Sequence, residues 1–286
     1  MTRSLLTLTA AALALGLAGA PLHAQAQAPA PRARVPAADS VATRADSLLR
    51  VDEAEAAMAL LGPALERSGP DGDLSWRAAR VAVNRGMLAE PTSKDHAREW
   101  YHRAESYAEA RIEVDSTDAR AWEWLAIARG RRSLTEGLRT RATLVNGIRA
   151  ASRRALALDS LRAGAHHVLG MWNAEVRRLN TFERLGAGAL GADDFDQASW
   201  DGAVHHLETA AELAPDGLVH GLELARTYVD LDRTDDAVTE LRRVLALDLR
   251  EPGDAIVREA AEALLERLRG RGEGPVSDSE DASRPR

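Results

Sequence analysis

The sequence predicts an all-α chain of tandem helical hairpins, and three observations make the case. Alanine and leucine are abundant, aromatics are only 4% of 286 residues and β-branched runs are nearly absent, a composition of helix formers. Apolar residues recur at helical spacing, interrupted by turn-forming clusters such as Ser68-Gly-Pro-Asp-Gly72. Three stretches can also be registered on one another. Leu125-Ala126, Leu169-Gly170 and Leu224-Ala225 each set a large residue beside a small one midway along a first helix. Ala155, Ala210 and Val244 hold one place in the second helices, and Leu158, Leu213 and Leu247 another. Ala210 to Val244 is 34 residues, the period of the tetratricopeptide repeat. A two-helix unit cannot bury its apolar stripe alone. The expected architecture is therefore a right-handed superhelix of about five stacked pairs with a C-terminal capping helix.

The elements follow in order. Residues 1–24 read as a targeting segment: Arg3 supplies the positive region, Leu5 to Ala20 the apolar stretch, and Ala24-Gln25-Ala26 the small residues of a cleavage site. Residues 25–38 are rich in proline and alanine and read as a tether. The repeat domain spans residues 39–269. Its first pair is built on Val41, Ala45, Leu48 and Leu49 facing Ala56, Leu60, Leu61 and Leu65. A second pair runs from Asp73 to Val114 and places Trp100, Tyr101 and Tyr107 at core spacing, a reading preferred to a stacking platform. In the fourth pair Ser199 can cap a helix that Pro215 ends. The last helix, Asp254 to Arg269, is expected to turn Ile256, Ala260, Ala263, Leu264 and Leu268 inward. Residues 270–286 carry no apolar pattern and read as a disordered tail.

Two pairs carry surplus length. Gly170 to Ala203 spans 33 residues and Ala126 to Ile148 spans 22, where Ala225 to Ala237 spans 12. Both surpluses are expected as insertions looped out between the helices of a pair. The larger, residues 180–198, would fold back on Phe182, Leu185, Leu190 and Phe195 as a lid or rim of the concave surface.

The segments AWEWLAIARGRRSLTEG, ALDSLRAGAHHVLGMWNAEVRRLNTFERLGAGALG and the stretch from Gln197 to Leu268 resemble the regulator of microtubule dynamics family. His166-His167 before Val168-Leu169-Gly170, then Trp172, Phe182-Glu183-Arg184-Leu185 and His220 with Glu223-Leu224 are the specific marks, over residues 75–269. The resemblance implies a helical-repeat superhelix without catalytic residues. Eukaryotic members associate with microtubules or organelle contact sites, and some of their repeat domains bind phospholipid. Members with signal peptides are found in bacteria, and no biochemical role carries over from the family.

Composition narrows the function classes. A net charge of −7 argues against nucleic acid, and the absence of cysteine removes disulfides, thiolate metal sites and a cysteine nucleophile. No membrane span is expected, since the amino-terminal apolar run is too short. No metal or cofactor is expected. His166-His167 and His205-His206 are adjacent on helices and point about 100° apart, so neither pair suits one ion. Gly186-Ala-Gly188-Ala-Leu-Gly191 follows no strand and makes no dinucleotide loop. The candidate ligand groove is the concave face of the first helices: Arg120, Glu123, Ile127, Arg131, His167, Met171, Glu175, Leu222, Arg226 and Val229. Arginine forks among apolar residues suit an extended peptide. The sequence therefore predicts an exported, periplasmic or secreted, non-enzymatic scaffold for a protein or peptide partner. A carrier of lipid or an amphipathic anion is the alternative, and an enzyme using His167 with Glu175 a third.

Overall fold

The computed structural model describes residues 38–50, 53–191 and 194–272. The expected targeting segment, most of the tether and residues 273–286 of the tail lie outside them. Among the described residues there is no strand. The helices are α1 (Ala38–Arg50), α2 (Ala54–Ser68), α3 (Gly72–Ala89), α4 (Lys94–Val114), α5 (Ala119–Thr135) and α6 (Leu138–Leu158). They continue as α7 (Ala163–Arg178), α8 (Thr181–Ala189), a 3-10 turn (Phe195–Gln197), α9 (Trp200–Leu213), α10 (Leu218–Asp230), α11 (Thr234–Leu245) and α12 (Asp254–Gly272).

Five hairpins result: α1–α2, α3–α4, α5–α6, α7–α9 and α10–α11, with α12 as the cap. Each first helix touches the first helix of the next pair, and each second helix also packs on the first helix that follows it. This two-layer stacking is the tetratricopeptide arrangement. The registered positions explain it. Leu125, Leu169, Leu224, Ala126, Ala225, Ala155, Ala210 and Val244 are all buried. Within the fourth pair a Cβ on Gly170 would sit 2.6 Å from Leu207 Cγ and 3.1 Å from the Ala203 carbonyl oxygen. Only hydrogen fits, so the α7 and α9 backbones meet there. The aromatic trio packs as expected, Trp100 and Tyr101 buried and Tyr107 half-buried against them.

Local signals set the ends. Asp71, Ser93, Asp118, Asn180 and Ser199 each accept backbone N–H groups at a helix start. Asn180 and Glu183 form a full capping box on α8. The α9 helix ends at Leu213, two residues before Pro215.

Four expectations need correction. The surplus of the third pair is not looped out. The α5 helix runs nine residues past Ala126 where α10 runs five past Ala225, and α6 starts ten before Ile148 where α11 starts three before Ala237. Extra helical turns, each internally hydrogen-bonded, absorb the length. The surplus of the fourth pair does leave the hairpin, as α8 and the 3-10 turn. However, Phe182 and Leu185 are 86% and 67% exposed and anchor nothing. The anchors are Ala187, Leu190 and Phe195, against Ala142, Val145 and Trp172. Through Ala187 and Leu190 α8 sits on α6, in the outer layer. Phe195 packs between Val145 of α6 and Trp172 and Val176 of α7. The insert thus rides on the joint of the third and fourth pairs and is no lid over the concave face. Finally, α12 runs on to Gly272 and is rotated from the expected face: Val257, Ala261 and Leu265 are buried with Leu264 and Leu268, while Ile256 and Ala263 are exposed.

Candidate functional site

The first helices place the ten expected groove residues on one layer, but only part of that set faces open space. Glu123 is buried and turns into the joint with the next pair. Its carboxylate accepts from the Gly164 backbone N–H at 2.8 Å and lies 3.4 Å from Arg162, so it caps α7, whose own N-cap Arg162 gives no side-chain cap. Burial pushes its carboxyl up and Arg162 opposes that. Leu222, 3% exposed, belongs to the core around α10–α12, and Ile127 packs between the second and third pairs. These three are structural, which corrects their assignment to the groove.

The remaining seven split by charge state. Arg120 lies 3.6 Å from Asp73 with its guanidinium over Trp76, and Glu175 is engaged by Arg178 at 2.6 Å and Arg141 at 3.6 Å. Arg226 meets Glu223 at 2.6 Å and stays 41% exposed. Arg131 makes no ion pair among the described residues; its charge bears on Tyr101 and His167. Met171 and Val229 are half-buried against the C-terminal core. His167 packs its ring 4.9 Å from that of His220 in the next pair, and the Nδ1 atoms of both are buried without a hydrogen-bond partner. Burial holds His167 well below its ordinary pKa, helped by His220 and Arg131. The same effect, with Arg243 adding to it, pushes His220 down to about 4. His167 and Glu175 therefore have separate partners, and nothing pairs them as an acid and base.

A cavity of about 290 Å³ closes the C-terminal end of this face, between α7, α10 and α12. Two helices build it with the same spacing: Arg226, Val229 and Asp230 on α10 face Leu264, Arg267 and Leu268 on α12. Arg178 reaches in from α7, both its Nε and Nη2 on Asp230 Oδ2. Sequence reasoning finds Arg226 and Val229 but misses Arg178, Asp230, Leu264, Arg267 and Leu268 as cavity residues. The i, i+3, i+4 pattern in α12 is the available signal.

A second cavity, about 470 Å³, lies between α4, α5 and α6, lined by His102, Glu105, Glu109, Arg129 and Arg132 among others. None of the expected groove residues lines it. Glu105 is buried 3.0 Å from Arg132 Nε and 3.8 Å from Arg129 Nε. Burial nonetheless raises its carboxyl to about 7. Glu109 takes Arg129 at 2.8 Å, so each guanidinium has a carboxyl partner within the cavity.

The histidines meet across helices rather than along one. His166 Nδ1 on α7 and His206 Nδ1 on α9 are 2.9 Å apart, while His166 Nε2 faces the Ser160 carbonyl at 3.0 Å. With Nε2–H donating to that carbonyl, Nδ1 of His166 is the acceptor and His206 the donor. The ring centroids, 5.1 Å apart, agree with nitrogens pointing head-on. Among the described residues, no group of three or more His, Asp or Glu side chains is arranged to hold a metal, and no helix is long and apolar enough to cross a membrane.

Comparison with known proteins fits this architecture. A thermophilic TPR protein from Thermus thermophilus superposes with a TM-score of 0.55 at 18% identity, over 80% of this chain and 100% of that one. Regulator of microtubule dynamics protein 1 of Mus musculus is 24% identical over 228 residues, 79% of this chain and 73% of its own length. Regulator of microtubule dynamics protein 3 of Bos taurus is 26% identical over 182 residues; the matched part covers 63% of this chain and only 38% of that protein. The family model for regulator of microtubule dynamics proteins 1–3 matches residues 41–269, from the fourth residue of α1 to within three residues of the end of α12. On that match, with the stacked pairs the structure shows, the chain belongs to the regulator of microtubule dynamics family.

Proposed function

We propose that the chain is an exported, non-enzymatic scaffold that holds an extended protein segment along the face of its first helices. The carrying observation is the incompletely neutralised cations there, Arg131, Arg226 and Arg267, interleaved with half-buried Met171 and Val229 and ending in the 290 Å³ cavity. Guanidinium forks suit carboxylates and backbone carbonyls, and apolar steps suit alternate side chains of an extended chain. The tetratricopeptide-like fold supports a protein-interaction role. Export rests on the amino-terminal pattern of Arg3, the Leu5–Ala20 stretch and Ala24-Gln25-Ala26. An exported chain has no access to a cytoskeletal partner, so the relatives' names do not describe its work.

The test is a photo-crosslinking residue at Met171 in a host that exports the chain, with Glu212, exposed on α9 of the outer layer, as control. Protein adducts are expected at Met171, reduced about tenfold by Arg131→Glu, a loss of about 1.4 kcal/mol. Equal labelling at both positions would defeat the groove reading. The alternative carrier draws on a lid formed by the insert, whereas α8 packs on α6 and Phe195 on Val145, Trp172 and Val176 at the joint of α6 and α7. Lipid that co-purifies in native mass spectrometry would nonetheless reinstate it.

A further inference from the structure

The cavity of about 470 Å³ between α4, α5 and α6 holds polar groups that the fold leaves unsatisfied. It shares no lining residue with the inner-face cavity, so an occupant here is separate from the function proposed above. Glu105 and Glu109 stand one turn apart on the α4 wall, Arg129 and Arg132 on α5, and Leu144 and Gly147 on the α6 wall. Both guanidiniums converge on Glu105, yet neither uses its whole fork. Arg132 Nε lies 3.0 Å from Glu105 Oε1 but off the hydrogen-bond direction, and both atoms are buried without a hydrogen bond. Arg129 gives Nη2 to Glu109, and Arg132 gives Nη1 to His102. Arg129 Nη1 and Arg132 Nη2 are left with no hydrogen bond among the described residues. Gly147 makes room for the first of them. It stands in the interior of α6, where glycine is a poor helix former, and a Cβ there would come 3.1 Å from Arg129 Nη1.

Charge selects the occupant. Glu105 is faced by Arg129 and Arg132 from α5, by Glu109 on its own helix and by Glu136 just past α5, while the α6 residues that line the cavity are uncharged. Burial raises the Glu105 carboxyl to about 7. His102 is held below its ordinary value, first by burial and then by Arg132, and is neutral there. With Glu105 protonated, the lining sets two cations, Arg129 and Arg132, against one anion, Glu109. A monoanion balances that difference and a dianion overshoots it.

We propose that this cavity is a site for a small organic monocarboxylate, its oxygens taken by the unpaired nitrogens of Arg129 and Arg132 and its alkyl end set against Leu144. Guanidinium forks fit a carboxylate, and the volume falls among those of small-molecule sites, roughly 300–1,000 Å³. A second carboxylate beside Glu105 favours the protonated form of that neighbour, so capture takes up a proton wherever Glu105 is ionised. Affinity is therefore full below about pH 7 and weakens as pH rises through it.

The test is a titration of isovalerate into the full chain, read by the methyl resonances of Leu144. A saturable shift is expected there, with Leu61 of the first pair unmoved, and binding about five- to tenfold weaker at pH 8 than at pH 6. Glu105→Gln, a neutral stand-in for the protonated carboxyl, should bind equally at both pH values. Arg132→Gln made on that background strands no buried carboxylate and should weaken binding at least about tenfold. Arg103→Gln, on an exposed position of α4 that does not line the cavity, should leave binding unchanged. No saturable shift at Leu144 overturns the proposal. So does an equal shift with isovaleramide, which carries no charge for the arginines to read. Equal binding of inorganic phosphate overturns the choice of a monocarboxylate, and binding that ignores pH in the unmodified chain overturns the part assigned to Glu105.

Discussion

The third and fourth hairpins meet the same demand in different ways. Both have more chain than the fifth between two registered positions that must stay in contact. The third spends it on longer helices, α5 of 17 and α6 of 21 residues against 13 and 12 for α10 and α11. The fourth expels it as α8 and a 3-10 turn that ride on the joint of α6 and α7. The buried residues show why both work. In α6 the extension adds Ala142 and Leu144 to the buried face that Ile148 continues, so longer helices gain core. In α8 only Ala187 is buried, so the insert adds little and must leave the seam. The stacking seam is fixed, and surplus length is free to take any form that does not enter it.

Changes at the seam and away from it should differ sharply. The largest effect is expected where backbones touch. Gly170→Val would force a branched side chain into Leu207 and the Ala203 carbonyl, costing about 3 kcal/mol or more by overpacking. Denaturant unfolding would read this, and an unchanged midpoint would mean α7 and α9 are not so close. Ile148→Ala in α6 should cost slightly less, about 2–3 kcal/mol, as a cavity in a buried face.

Acid should separate the two regions by sign. His206 and His220 are held down to about 4, first by burial, against an ordinary value of about 6.5. The unfolded chain therefore binds more protons in that window, so the α7–α10 region loses stability as pH falls from about 6.5 to about 4. Glu105 is raised to about 7 by burial, so the folded chain binds the extra proton, and the α4–α5 region gains stability as pH falls from about 7 to about 4.5. Amide exchange corrected for intrinsic rates should show opposite trends in α10 and α5, and Glu105→Gln should flatten only the second. The smallest effect is expected on the insert's outer face. Phe182→Ser with Leu185→Ser should move stability by no more than about 0.5 kcal/mol, since both are exposed. A larger loss in thermal unfolding would reveal packing there.

The seam is the legible part of the sequence. Leu169-Gly170 and Ala210 betray themselves because size alternation at fixed period survives any loop length. What escapes needs information from other pairs. Glu123 looks like a groove acid until α7 is placed beside it and found to need a cap. His166 and His206 lie 40 residues apart on different helices, and adjacency along the chain draws attention to the wrong pairs. Residue type makes Phe182 look like an anchor, whereas the orientation of α8 is set by Ala187, Leu190 and Phe195. In α12 the apolar stripe is wide enough that two faces fit, and contact with α10 and α11 selects the one carrying Val257 and Leu265.

Native-state hydrogen exchange across these two hairpins tests the fixed seam most directly. Amides of α6 from Ala142 to Ala155 and of α7 from Leu169 to Ala174 should exchange together, near the slowest limit of the chain. Those of α8, Leu185 to Ala189, should exchange orders of magnitude faster without changing the rest. Exchange of α8 in step with α7 would contradict it by making that surplus part of the stack. Exchange of the Ala142–Leu144 turn of α6 in step with α8 would contradict it by taking the longer helix out of the core.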